Sequence, residues 1–223
     1  MARPLRISFE GALYHVTNRG NEKRDIFTDD TEKKVFLRLL KAAVKENQWR
    51  CYGYCLMNNH YHLLLETPLA NISKGMKKIN AEYSQYFNSK HRRVGHLFQG
   101  RFKAILVEKD SHLLELCRYI VLNPVRAGLC ITPDKYEWSS YRATMNRSAC
   151  PRLIERNWIL SQFSESLAEK AARNLYQQFV KEGDIPSPWK RVISQTYFGS
   201  DDFVKKMTAT FANLQNSATN EIR

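Results

Sequence analysis

Two short β-prone runs joined by Asn58-Asn59 constrain this chain more than any other feature. Cys51 to Met57 and His60 to Glu66 both read as strands, and the Asn-Asn pair between them is a tight-turn signal. Such a hairpin commits the chain to an antiparallel sheet. Its second arm opens with His60-Tyr61-His62 and continues into Leu63-Leu64-Leu65. In a strand, residues i and i+2 share a face, roughly 6–7 Å apart. The two imidazoles can therefore converge on one cation, while Tyr61 turns to the opposite face. Two ordinary half-buried strand histidines fit the same pattern, and only the rest of the chain separates the readings.

Around the hairpin the periodicity alternates between strand and helix. Leu13 to Asn18 reads as a first strand, closed by the turn Arg19-Gly20-Asn21. A helix follows, capped by Asp29, with Glu32 completing a capping-box pattern and Val35, Phe36, Leu39, Leu40, Ala43 and Val44 at helical spacing. Pro68 ends the third strand. Ile72, Met76, Ile79, Tyr83 and Phe87 mark a second helix, and Phe102 to Glu108 a fourth strand. The order β-α-β-β-α-β is the ferredoxin-like, α+β arrangement: four antiparallel strands, the first and third central, two helices on one face and the other face free to bind something.

A third helix is expected from a Ser111 cap to Pro124, which should end it. One stripe of this helix is apolar, and another carries His112, Glu115, Tyr119 and Asn123. Beyond a loop-rich stretch, residues from about 151 read as helical: Ser164 to Glu182, a helix begun at Ser187-Pro188, and a last one capped by Ser200 and running to about Asn213, with a frayed polar end. This divides the chain into a domain of residues 1–150 and a helical C-terminal appendage of residues 151–223.

The formal charge of the 223 residues is +13, which points to a polyanionic partner, nucleic acid ahead of a membrane surface. Residues 1–150 hold 25 Lys and Arg against 14 Asp and Glu, so most of the excess lies there. No segment is apolar enough to span a bilayer and no leader is evident. Five cysteines without a C-x-x-C pair suggest reduced thiols and a cytoplasmic protein, nucleoid-associated where its polyanionic partner is DNA. From Asn88 to Val107, the cations Lys90, Arg92, Arg93, Arg101 and Lys103 occur with no acid among them. Phe98, Phe102, His91 and His96 are interleaved. Cations for phosphates and flat rings for bases suit single-stranded nucleic acid; a solvated basic loop is the alternative. His91 and His96 are expected to touch phosphate, and His15 to be structural.

Tyr119 and Asn123, four apart on one helix face, gain meaning in combination. The chain resembles the REP-associated tyrosine transposases of the HUH endonuclease superfamily. The resemblance rests on Tyr14-His15-Val16-Thr17-Asn18-Arg19-Gly20-Asn21, on Tyr54 to Leu65, on Gly95-His96-Leu97-Phe98-Gln99-Gly100-Arg101-Phe102-Lys103, on Arg118 to Gly128, and on Trp138-Ser139-Ser140-Tyr141. These motifs fall in order over roughly residues 5–145.

The resemblance implies an enzyme, a transposase that cleaves and rejoins single-stranded DNA near short palindromic hairpins through a 5′-phosphotyrosine. Tyr119 would be the nucleophile, and His60 and His62 would hold a divalent metal, Mg²⁺ or Mn²⁺. Asn123 stands where insertion-sequence relatives carry a glutamine as third ligand; Glu66, at the end of the same strand as the histidines, is a more distant alternative. Arg19, Asn21, Arg92, Arg93, Arg101, Lys103 and Arg126 would contact DNA, with the protein a monomer or homodimer. A domesticated hairpin-binding protein that does not cut, and a metal-dependent ribonuclease, are the competing readings.

Overall fold

The structure, a computed structural model, describes residues 7–146, 153–163, 168–183, 192–193 and 196–220. Its centre is β1 (Ala12–Arg19) paired antiparallel with β3 (His60–Thr67). Outside them lie β2 (Arg50–Leu56) against β3 and β4 (Lys103–Val107) against β1, both antiparallel. The ferredoxin-like order β2-β3-β1-β4 is thus present, with a fifth strand added at the β4 edge.

Helices α1 (Asp30–Glu46) and α2 (Ile72–Lys90) cover one face. Tyr61 points into that layer, its ring 4.8 Å from Phe36, which in turn meets Tyr83 and Phe27. Helix α3 (Lys109–Arg126) covers part of the other face, so this face is less free than the strand pattern suggested. Leu63, Leu64 and Leu65 are all fully buried. An unbroken apolar run is what a strand covered on both sides requires. Where α3 crosses β2, a Cβ on Gly53 would stand 3.9 Å from Ile120, next to a bulge in the β2 register.

The Asn58-Asn59 turn is pinned from outside. Gly20 donates its N–H to the Asn59 carbonyl, and Ile26 and Phe27 donate theirs to the Asn58 carbonyl, at 2.8–2.9 Å. A Cβ on Gly20 would lie 2.1 Å from the Arg24 carbonyl oxygen, so only glycine fits there. These bonds hold the start of β3, and with it His60, against the end of β1.

Asp29 caps α1 as expected, accepting the Glu32 N–H at 2.9 Å. Glu32 is fully buried and accepts from the Thr28 N–H, the Lys90 ammonium and the His91 ring at 2.6–2.8 Å. This carboxylate ties the start of α1 to the end of α2. His91 is therefore a structural partner of Glu32 rather than a phosphate contact, and Lys90 is likewise engaged by Asp29 and Glu32. A long-range pairing of this kind leaves no mark in local sequence.

The C-terminal third packs onto the same unit. Helices α4 (Tyr141–Thr144), α5 (Arg156–Ser161) and α6 (Glu169–Lys181) meet around Tyr176, stacked 5.8 Å from Tyr141. Arg118 of α3 donates to the Phe179 carbonyl at 3.1 Å, with its guanidinium 4.2 Å over the Phe179 ring. Strand β5 (Tyr197–Phe198), which the helical reading of this segment did not foresee, pairs parallel with β4. Ser200 caps α7 (Asp201–Asn220) by accepting the Phe203 N–H, and that helix runs past Asn213 to Asn220. The helix start expected at Ser187-Pro188 lies outside the described residues.

Burial pushes the Glu32 carboxyl up, but hydrogen bonds from Lys90, Thr28 and His91 outweigh it and leave the group below the usual carboxylate value. A depressed carboxyl contributes stability in full above its unfolded pKa of about 4.3 and loses it as pH falls through the lower folded value. Glu32→Gln is expected to cost about 2–3 kcal/mol at pH 7, read from urea unfolding midpoints, with the gap to wild type narrowing in acid.

Candidate active site

The β1–β3 register builds the site. Arg19 lies opposite His60 and Thr17 opposite His62. Paired residues share a face, so Cys55, His62, Thr17 and Lys103 form one row across four strands, with His15 and Leu64 in a neighbouring row. The His60 and His62 rings stand 5.0 Å apart, edge to face. Both point to the α3 side of the sheet, opposite Tyr61.

His60 Nδ1 lies 2.6 Å from the Asn59 side-chain oxygen. An amide oxygen only accepts, so Nδ1 carries the proton and Nε2 keeps the lone pair. Burial, with the nearby Arg19 charge, lowers the His60 pKa to about 4. His62 is 4% exposed, and burial holds it well below the ordinary histidine range, helped by His15, His60 and Arg19. Both rings are therefore neutral at pH 7, the state in which imidazole binds a metal.

A third histidine joins them. His15 Nε2 is 3.0 Å from His62 Nδ1, and the rings stack with centroids 5.1 Å apart. His15 is 2% exposed, and burial lowers its pKa to about 3. In one of the two tautomeric arrangements His62 Nδ1 donates to His15, and the His62 lone pair then sits at Nε2. The local sequence read His15 as structural. Its place beside His62 follows from strand pairing across 47 residues, and the only sequence signal is that His15, Thr17 and Arg19 share one strand face.

From above, α3 brings Tyr119. Its ring is 6.2 Å from both His15 and His62, edge-on to each. It is 5% exposed, and the Arg126 guanidinium sits 4.7 Å over it. Arg126 also donates to the Tyr119 carbonyl at 3.3 Å.

Pro124 does not end this helix. The helix continues to Arg126 with proline inside it. Proline lacks the N–H that would bond the Ile120 carbonyl four residues back. Asn123 supplies a substitute: its side-chain nitrogen donates to the Tyr119 carbonyl at 3.0 Å and the Ile120 carbonyl at 3.4 Å. The nitrogen end of the Asn123 amide is thus committed to its own helix, and Oδ1 is the end left for other chemistry.

The cations named from sequence fall into three places. Arg19, Lys103 and Arg126 rim the His–Tyr cluster and are exposed. Asn21 and Arg101 line a cavity on the opposite face. Arg92 and Arg93 sit at the turn after α2, Arg93 packing over Phe87. Glu66, the alternative ligand, is held by Tyr52 at 2.6 Å, by Lys109 at 2.9 Å and by Arg50 at 3.7 Å, and so anchors the start of α3 instead. Tyr83 is a core residue whose hydroxyl donates to the Ile26 carbonyl.

No group of three or more His, Cys, Asp or Glu side chains is arranged around a metal position among the described residues. His60 and His62 together offer two neutral imidazoles. Such a set with open positions suits a hard or borderline divalent cation that keeps its waters.

The Asn123 repair of α3 has a measurable signature. Asn123→Ala is expected to cost about 1 kcal/mol. In a Pro124→Ala background, where residue 124 regains its N–H, the cost should fall to half or less. A double-mutant cycle by chemical denaturation reads the coupling.

Comparison with known proteins follows the same elements. A family model described as transposase, IS200-like, matches residues 8–123. Among solved structures, the chain is similar to a REP-associated tyrosine transposase bound to a REP hairpin. The TM-score is 0.57 at 15% identity, over 66% of this chain and 87% of that one, a likeness of fold. A candidate transposase from Deinococcus radiodurans aligns with a TM-score of 0.38 at 16% identity, over 55% of this chain and 97% of that one, too weak a likeness to argue from. No protein of curated function matches. The family match spans every element from β1 to the turn of α3 that carries Tyr119 and Asn123, and on it the chain belongs to the IS200-like transposase family.

Proposed function

We propose that this transposase is a metal-dependent endonuclease and strand transferase that cuts single-stranded DNA beside a hairpin through a 5′-phosphotyrosine on Tyr119. The observation that carries the reading is the position of Tyr119, edge-on to His15 and His62 at 6.2 Å and beneath Arg126. The structural relative bound to a REP hairpin supports a hairpin as the substrate element.

The Tyr119 phenolic oxygen attacks the scissile phosphorus, and its proton passes to solvent. The P–O3′ bond breaks, and its electron pair, with a proton from solvent, becomes the free 3′-hydroxyl. One phosphodiester replaces another, so a second 3′-hydroxyl can reverse the step onto a different strand. A phenol ionises near pH 10, so it needs activation at neutral pH. Arg126 packs over the ring and bonds the Tyr119 carbonyl, which fixes the phenol in place. Arg19 and Lys103, on the rim, take the charge of the flanking phosphates. His60, His62 and the Asn123 amide oxygen would hold a divalent cation, Mg²⁺ or Mn²⁺, which polarises the phosphate when bound. Asn59 and His15 orient the two imidazoles, which burial keeps neutral, the outer-partner role that typically changes metal affinity 10–100-fold.

Tyr119 is 5% exposed, so DNA entry must be coupled to a shift of the tyrosine or of α3. The same burial favours the second reading, a hairpin-binding protein that does not cut.

Incubation with Mn²⁺ and end-labelled hairpin DNA should give a covalent adduct on a denaturing gel. Tyr119→Phe should abolish the adduct while hairpin binding persists. His60→Ala and His62→Ala should each weaken Mn²⁺ binding, measured by electron paramagnetic resonance, and lower the adduct rate by about 10²-fold or more. An adduct that survives Tyr119→Phe removes the nucleophile assignment. Tight, chelator-insensitive binding with no adduct establishes the binding protein instead, and cleavage confined to RNA the ribonuclease.

A further inference from the structure

On the α1/α2 side of the sheet, where β1 runs out, lies a cavity of ≈ 790 Å³ that the His–Tyr cluster does not use. Its size falls within the ~300–1,000 Å³ typical of small-ligand pockets. The walls are the outer face of α2 and the loop of residues 95–102, joined by Asn18 and Asn21 from the end of β1.

Its chemistry is of three kinds. Lys77 and Arg101, both exposed, bring two cations. Asn21, Asn80 and Gln99 bring amides, with Asn80 fixed in place by accepting the Tyr61 hydroxyl at 2.8 Å. His96, exposed, brings a flat ring to the wall, with Phe102, 7% exposed, behind it. A cation for phosphate, a ring for stacking and an amide for a base edge are together what an unpaired nucleotide requires.

The cavity is also close to the cluster along the chain. Arg19 sits opposite His60 on the α3 face. Asn21, two residues on and roughly 7 Å away by strand rise, lines the cavity. Backbone bonds from Asn21 N–H to the Leu97 carbonyl at 2.8 Å and from Gln99 N–H to the Arg19 carbonyl at 2.9 Å tie the loop to this sheet end. The Asn18 side chain adds a bond to the Gly100 carbonyl at 3.4 Å. A single strand crossing the cluster has only to round that end to enter.

We propose that the cavity takes one unstacked nucleotide of the substrate strand from the single-stranded flank of the hairpin, stacking its base and hydrogen-bonding its edge. The site deepens the DNA-cleaving function proposed above and rests on it. It would make one flank position sequence-selective at a place remote from the scissile phosphate.

The test is an abasic scan of the single-stranded flank of a fluorescently labelled hairpin oligonucleotide. Binding is measured by anisotropy and cutting by the Tyr119 adduct on the same DNA. One abasic position should weaken binding to the wild-type protein at least about fivefold, the lower end of what one stacked base is worth. Ala81 is exposed on the cavity wall, so Ala81→Trp fills the space without entering the core. Ala81→Trp and Gln99→Ala should weaken binding to intact DNA and lose the penalty at that one position, keeping any loss elsewhere. A flat scan in the wild type overturns the proposal, as does a penalty that persists in full in Ala81→Trp. If hairpin binding and adduct formation remain intact in either case, the cavity reading fails alone. If the wild-type protein neither binds nor cuts hairpin DNA, the proposed function fails and the cavity reading falls with it.

Discussion

The antiparallel pairing of β1 with β3 is the constraint on which everything else depends. Its register runs from Ala12 opposite Thr67 to Arg19 opposite His60. Strand side chains alternate, so a slip of one residue would move His60 and His62 into the α1/α2 layer and send Tyr61 out. Tyr61 is fully buried there against Phe36, and this packing resists the slip. The same register sets His15 one row from His62, close enough for the rings to stack, and places Arg19 opposite His60. Packing on one face thus specifies the geometry on the other.

The electrostatics follow from that layout. Three imidazoles at the centre are kept uncharged, chiefly by burial. The positive charge stays at the rim, on Arg19, Lys103 and Arg126, where water can solvate it. Lone pairs inside and cations outside is the arrangement that the proposed metal ion and polyanion would require together. Charged histidines would repel the first, and buried arginines would carry a heavy desolvation cost.

Strands and helices from Leu13 to Asn123 were legible because both faces of the sheet impose clean periodicity. The hairpin, the Asp29 cap and the order of elements could be read directly, as could the pairing of Tyr119 with Asn123 on one helix face. The parts that escaped depend on distant residues. Glu32 finds Lys90 and His91 almost sixty positions away, and local spacing saw only a capping box. His15 meets His62 only through strand pairing. Pro124 reads as a helix stop unless the side chain before it can replace the missing hydrogen bond, as Asn123 does. The two-residue β5 carries no pattern of its own and exists because β4 offers an edge.

That edge has a consequence for assembly. The outer side of β2 is taken up by the chain itself. Leu56 N–H bonds the Trp138 carbonyl, Ser140 N–H bonds the Tyr54 carbonyl and Glu155 N–H bonds the Cys51 carbonyl. On the far side, β5 occupies Leu106 and Val107, and the rest of β4 opens with the charged Lys103. Short, charged or covered edges do not recruit further strands. Among the described residues the sheet edges therefore give a second copy little backbone to pair with, which leaves an exchange of α3 as one route to a shared site. That exchange would first have to break the hold of Arg118 on Phe179 and of Lys109 on Glu66.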